Sequence, residues 1–538
     1  MRKILTIAIA FASFAAGAQV LDSTYHGIGY SAGLTWPSAN KIVQQSDGSM
    51  IIGVNSSLGV TMVKYTPEGR PDSTVGAYGR ASLVVGGCVT FSPGGQVISD
   101  VAVQSDDMVI GVGYGNYTYG GACGYNNMDI FRMKQNFTGD STFGLCGLIE
   151  SGQIFGSYPI NINSSELSKL KLLPDGKFLV AGNGYCVGCS GLYSIYIRFN
   201  GDGSLDPTFG TGGILTVAGI FNNSFANNPA DISVDTAGNI IAIGNSTLSD
   251  SVYHPYAQAV RITSAGVLDT TFGTGGIVNF MYPGGNGVTA IQPRNDGKYA
   301  IIGGYGSNGT LAIINSVGDI DSTIIPAGYA TISLPGYATN RITSFYSQPD
   351  NKLVLAGYGL NGYDACAYIA RLNEDGSYDS TFNGIGVDTF NYGVYSHWQM
   401  GTFLNDIKPV CGNRALAAGG INQTTTSPNQ GMFIVRLKMD DTSTCTYTPL
   451  PSLAISAVNA KGGTVNVYPN PAFDELTIEN AQPGSAFSIL NIMGQTMLSG
   501  NIDANKQTAN ISHLPTGSYI IRLKGTDGST VTQKITKL

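Results

Sequence analysis

The chain has 538 residues, 43% hydrophobic and only 12% charged, with a net charge of −7 at neutral pH and a pI near 5.1. That length requires two or more folded units, and the acidic balance argues against nucleic acid or an anionic membrane as partner. With charge at about half its usual share of roughly 25%, Ser, Thr, Asn, Gly and Tyr must cover the surface; 73 glycines and 29 tyrosines suit many tight turns between short β-strands.

At the N-terminus, Arg2 and Lys3 give a positive start, Ile4 to Ala15 a largely apolar run, and Ala16-Gly17-Ala18 a small-residue cleavage site. Residues 1–18 therefore read as a signal peptide. The run falls short of the ~20 apolar residues that a bilayer span needs. Gln19 rather than Cys follows the cut, which argues against a lipid anchor, and no later segment is long and apolar enough to span. The mature chain is expected outside the cytoplasm.

Repetition begins at once. LDTTFGTGG at Leu268–Gly276 recurs as LDPTFGTGG at Leu205–Gly213, with diverged copies at Leu21, Pro71, Gly139, Ile320 and Tyr378. Their aspartates, Asp22, Asp72, Asp140, Asp206, Asp269, Asp321 and Asp379, are spaced by about 60 residues. A second mark keeps the same phase: Asp47-Gly48, Asp106-Asp107, Asp175-Gly176, Ala237-Gly238, Asp296-Gly297, Asp350-Asn351 and Gly412-Asn413. Such pairs supply the positive φ of two-residue hairpin turns. In one unit, Arg341–Gln348, Leu353–Gly359 and Asp364–Asn373 read as three strands, with a short fourth after Phe382. Four antiparallel strands per unit of this length describe a β-propeller blade. The last unit reaches FIVRL at Phe433–Leu437 with no following TFGxxG tract, whereas the mature chain opens with one. Placing that opening segment as the fourth strand of the last blade predicts a closed seven-bladed β-propeller over residues 19–448, with its sheet edges hidden.

These tracts resemble the delta-sixty repeat family of bacterial extracellular proteins from roughly Leu21 to Asp440, well at Gly213 and Gly276 and weakly at Thr323-Ile324-Ile325. The resemblance implies a secreted repeat protein and no established catalytic residues.

Residues 449–462 form a Pro-, Ser- and Ala-rich linker. Beyond it, Val465–Asn480, Phe487–Leu498 and Leu514–Leu538 alternate apolar and polar positions between Asn-Pro, Pro-Gly, Met-Gly and Asp-Gly punctuation, which predicts a small Ig-like β-sandwich over 463–538. Tyr468-Pro469-Asn470-Pro471, the Met493-Gly494-Gln495 turn, Leu514-Pro515 with Gly517 and Tyr519, and Lys534 resemble the type A sorting domain of the Bacteroidetes type IX secretion system. That resemblance implies the secretion machinery as a partner, passage across the outer membrane, removal of the terminal domain, and either release or attachment to surface lipopolysaccharide.

Chemistry is sparse. Eight cysteines suit an oxidising compartment, and Cys186-x-x-Cys189, with no second close Cys or His pair to complete a zinc site, reads as a loop disulfide. His26, His254, His397 and His513 stand apart. Gly29-Tyr30-Ser31-Ala32-Gly33 matches G-x-S-x-G but occupies the repeat register, where no helix follows. Asn200-x-Asp202-x-Ser204-x-Asp206 and Asn373-x-Asp375-x-Ser377-x-Asp379 have alternate oxygen ligands, yet lack the sixth-place glycine and closing glutamate of a calcium loop and read as capped turns. The Asp-Ser-Thr tripeptides resemble a Bacteroidetes O-glycosylation signal, although the turn alone explains them. Glu150, Glu166 and Asp129 lie outside the repeated turns and receive no role. No catalytic residue, metal or cofactor is expected.

Antiparallel connectivity gathers the short turns at one end and the long, aromatic loops at the other. Loops on a rigid scaffold carry function, and Tyr and Trp suit sugars or protein surfaces. Tyr117, Tyr253, His254, Tyr358 and Trp398 are the candidate ligand-binding residues. The reading is an extracellular or surface recognition and adhesion module. The alternatives are a polysaccharide-degrading enzyme with its site in the propeller channel, and a structural surface protein.

Overall fold

The computed structural model describes residues 21–22, 30–33, 38–54, 61–75, 79–82, 96–116, 126–144, 147–150, 154, 162–186, 192–221, 229–247, 255–281, 287–303, 305–306, 308–362, 364–391, 401–410, 414–422, 430–439, 466–468, 472, 474–491, 496–514, 517–526 and 530–537. The chain divides into two compact units, Met1–Tyr447 and Thr448–Leu538.

The first unit is all-β and built of small antiparallel sheets; among the described residues there are seven, of four or five strands each. In one, Thr339–Ser347, Leu353–Asn361, Asp364–Leu372 and Val387–Phe390 lie side by side in chain order. Leu353 through Tyr358 and Ala365 through Leu372 are buried at every position. Strands covered on both faces read as continuous apolar runs rather than alternating ones. The strand ends lie within a residue or two of those expected from the sequence. The two-residue strand Tyr305–Gly306, which no repeat signal marks, extends this sheet by pairing with Arg341 and Asn340.

The first turn of each repeat differs from the two-residue hairpin that Asp-Gly suggests. The Gln45 amide donates to the Ser49 carbonyl at 2.8 Å and the Gly48 amide to the Gln45 carbonyl at 3.0 Å. Only Gly48, at φ 85°, is left-handed. This is a three-residue loop, a type I turn closed by one left-handed residue. The same bonds recur at Gly176, Gly238 and Gly297, and at Asp107 (φ 62°) and Asn351 (φ 65°), residue types that tolerate this region. The preceding aspartate caps the loop: Asp47 accepts from the Ser49 amide at 2.7 Å, and Asp106 from the Met108 amide at 3.1 Å. Gly412-Asn413 lies outside the described residues.

Tyr30–Gly33 pairs antiparallel with Gln430–Lys438, Tyr30 opposite Val435 and Gly33 opposite Met432. The opening segment thus completes the sheet of Thr402–Val410, Arg414–Asn422 and Gln430–Lys438. Ser31 sits within that ladder opposite Ile434, which removes the strand-to-helix corner a nucleophile elbow needs. Buried apolar clusters lie between successive sheets. One of them joins Ile42 and Ile52 of the first sheet to Leu416 and Ile434 of the last.

In the second unit, Asn466–Tyr468, Glu475–Glu479 and Lys506–Asn510 form one sheet. Thr496–Asn501, Ala486–Asn491, Gly517–Lys524 and Thr530–Lys537 form another. Leu476 and Ile478 of the first and Ile489, Ile521 and Leu523 of the second share one core.

Candidate functional site

Tyr117, Tyr253, His254 and Trp398 lie outside the described residues, as do Cys189, His26 and His397. Tyr358 is only 5% exposed. Its ring meets Phe403 edge-on, with centroids 6.2 Å apart, and lies under the Arg341 guanidinium, which donates to its hydroxyl at 3.0 Å. In this position Tyr358 holds Arg341 in place. Asp129 and Glu150 stand opposite each other on the third and fourth strands of the second sheet, at its outer edge, while Glu166 lies on the inner strand Ile162–Leu172.

The repeated Asp-x-Thr-Phe tract builds a clamp. Asp206 accepts from the Thr208 amide and hydroxyl at 3.1 and 2.7 Å and from Arg198 Nε at 2.7 Å. Arg198 lies 4.8 Å from the centre of the Phe209 ring, donates to Thr208, and extends Nη1 to the Ser264 carbonyl of the next sheet. Arg132, Arg261 and Arg371 repeat the pairing with Asp140, Asp269 and Asp379, and Lys64 takes the place of arginine beside Asp72. Where the tract reads Thr323-Ile324-Ile325, the arginine position is Ile313, and Lys298 pairs with Asp321 at 2.5 Å instead. Burial works against ionised Asp379, yet the Thr381 hydroxyl, Lys352, the Thr381 amide and Arg371 hold its carboxyl at about 2. In the two tracts with alternate oxygens, Asp202 and Asp375 accept from the amides and hydroxyls of Ser204 and Ser377. These carboxylates cap hairpin turns.

The inner strands carry a second arrangement, invisible to the repeat motif. At one register, the seven sheets place Lys41, Asp100, Lys169, Asp231, Ala290, Ser344 and Asp406. A β-bulge precedes all of these except Asp231, turning an extra polar residue toward the same space. Asp406 accepts from the Ile42 amide at 3.3 Å, Asp100 from the Leu170 amide at 3.0 Å, and Asp231 from the Ile291 amide at 3.1 Å. Asn40 donates to the Ile98 carbonyl, Thr343 to that of Leu404, and Asn405 to that of Ala39. Each bond runs from one sheet to the next.

Charge alternates along this set. Burial opposes a charge on Lys41, but Asp406, Asp100 and Asp231 outweigh it and hold the ammonium above its usual range. Burial and the neighbouring Lys41 push Lys169 down, only partly offset by Asp231 and Asp100. Asp406 is held below the usual carboxylate range: Lys408, Lys41, the Ser344 hydroxyl and the Ile42 amide overcome its burial. Two cavities adjoin the set. One of about 710 Å³ lies toward the capped turns, lined by Gln44, Asp47, Asp100 and Lys408. The other, of about 510 Å³, lies at the opposite ends of the strands. Among the described residues, no group of three or more His, Cys, Asp and Glu side chains could hold a metal ion. The three carboxylates of the set are engaged by amides of the next sheet, so they form ties rather than a free acid–base pair.

Residues 466–537 match the secretion system C-terminal sorting domain, and residues 173–209 and 348–382 match a β-propeller domain of unknown function. No curated protein matches the chain in sequence. Among solved structures, it is similar to a protein of unknown function from Dyadobacter fermentans at 10% identity, covering 79% of this chain and 99% of that one, with a TM-score of 0.32. It is similar to PorZ, a surface component of the type IX secretion system of Porphyromonas gingivalis, at 10% identity, with coverage of 95% and 100% and a TM-score of 0.22. A GH74 xyloglucanase from Xanthomonas campestris is 12% identical, with coverage of 75% and 55% and a TM-score of 0.39. The sorting tail indicates a secreted or cell-surface protein that engages the type IX machinery. Among the described residues, no helix is long and apolar enough to cross a membrane.

Proposed function

We propose that the chain is a recognition module of the cell exterior: a signal peptide over 1–18, a closed seven-bladed propeller over 19–448 of the delta-sixty repeat type, a linker over 449–462, and an Ig-like sorting domain over 463–538 that directs export from a Bacteroidetes cell. It binds glycan or protein through the face opposite the capped turns. The observation that carries this reading is the asymmetry of the scaffold. Every first turn that the structure describes is the same three-residue loop, with its bonds closed, so variation is left to the other end, where rigid frameworks place binding loops. Tyr117, Tyr253, His254 and Trp398 are the contact residues proposed there, and Tyr358 contributes by holding Arg341.

The rival reading, cleavage of polysaccharide in the channel, loses support because the carboxylates there already accept amide bonds. The test is to incubate the purified chain with a panel of polysaccharides and surface proteins, measuring both retention and new reducing ends. Retention without new ends, lost when Tyr117, Tyr253 and Trp398 are changed to Ala, is the expected result. New reducing ends from any polysaccharide overturn the reading in favour of an enzyme.

A further inference from the structure

The cavity of about 510 Å³ at the starting ends of the inner strands is lined by Lys41, Lys169 and Arg341 together with amides and hydroxyls that include Asn40, Thr289 and Asn405. Among the described residues, no carboxylate lines it. Asp100, Asp231 and Asp406 are turned to amides of the next sheet, as their bonds show. Among the described residues, neither Lys41 nor Lys169 has an ion-pair partner within 4.0 Å. Arg341 is fixed from below by the Tyr358 hydroxyl and ring, which leaves a planar, braced cation at the wall. Three cations thus meet in a polar recess of the size that small ligands occupy, roughly 300–1,000 Å³.

We propose that this cavity is a binding site for an anionic sugar, whose carboxylate or sulfate group is held by Lys41, Lys169 and Arg341 while its hydroxyls meet the ring of amides and hydroxyls contributed by the bulges. The assignment of a sugar rests on the reading of this face as a recognition surface; the anion site itself rests on the cavity. The state of Lys169 supports it. Burial and Lys41 disfavour its charge, Asp231 and Asp100 offset this only in part, and an arriving anion adds the counter-charge that is still lacking.

That asymmetry makes the site testable in the full chain by calorimetric titration with galacturonate, glucuronate, galactose and inorganic sulfate at constant ionic strength. The sugar acids are expected to bind and galactose is not. Lys169→Gln is expected to weaken that binding about tenfold or more, the effect of losing one charged hydrogen bond, with no fall in the melting temperature of the ligand-free protein. Arg341→Gln provides a second variant with the same expected loss, should the first fail to fold. Unchanged affinity in both variants, or equal affinity for galactose, overturns the site. Sulfate binding as tightly as the sugar acids overturns the sugar assignment. A chain that retains a polysaccharide through its loops but responds to none of these anions overturns the cavity site while leaving the recognition reading intact. A response to the sugar acids with no ligand at the loops does the reverse.

Discussion

Asp379 shows what the repeat is for at the level of one side chain. Its carboxyl sits at about 2 because Thr381, Lys352 and Arg371 outweigh burial, below the unfolded value of about 3.9. A depressed carboxyl contributes stability that is complete above pH ~4 and is lost as pH falls from there toward 2. For Asp379 alone this amounts to roughly 2–3 kcal/mol, and Asp321, also at about 2, acts in the same direction. Melting temperature is therefore expected to fall steeply between pH 4 and 2, and Asp379→Asn should flatten that slope while lowering the melting temperature at pH 7. Arg371→Leu, which removes one of the two cations paired with this buried carboxylate and leaves Lys352 as the other, should cost about 1.5–3 kcal/mol at pH 7 by urea denaturation. Wild-type stability in the arginine variant would show that the clamp is ornamental. The aspartates were legible in the sequence as a repeated letter, but their partners lie outside the repeated tract. Arg132, Arg198, Arg261 and Arg371 each stand eight residues before their aspartate, a spacing the sequence does contain, and the antiparallel third and fourth strands turn it into contact.

At the scale of the element, the turns carry the information. Gly210 (φ 54°) and Gly212 (φ 62°) both occupy the left-handed region in one TFGTGG tract. A Cβ on Gly210 would meet the Ile214 carbonyl at 2.3 Å, whereas one on Gly212 would meet nothing within 4 Å. Gly212→Ala should cost about 1 kcal/mol, the backbone strain alone, and Gly210→Ala at least twice that. Equal midpoints in urea would mean that the tract relaxes around the added carbon. The glycines of the motif are thus conformational, and the turn type is where the sequence reading needed correction. A pair such as Asp350-Asn351 announces positive φ, but whether one or two residues adopt it depends on how the flanking strands pair, Gln348 with Lys352 in this case. Strand existence was legible because buried runs and turn residues alternate. The strand Tyr305–Gly306 was not, since two residues carry no period.

For the whole molecule, the tie between the beginning and end of the first unit matters most. Asp22 pairs with Arg414 at 2.5 Å and Arg436 at 2.9 Å, and Tyr30–Gly33 completes the last sheet. Removing residues 19–33 should leave Gln430–Lys438 as an open edge and both arginines without their carboxylate, so the shortened chain is expected to associate through that edge. Sedimentation of the shortened chain checks this: a monomer with undiminished cooperativity would show that the last sheet needs no cap.

The sequence by itself determined the all-β class, the position of each sheet, the segment that completes the last one, and the sorting tail, because each is written in local periodicity or in a repeated string. Only the tertiary structure decided the set at the inner strands. Lys41, Asp100, Lys169, Asp231, Ala290, Ser344 and Asp406 hold one structural position with four different residue types, so no string repeats. Their meaning lies in charges that become neighbours only when successive inner strands pack against one another, and that electrostatic proximity is a property of the packed sheets rather than of any local segment.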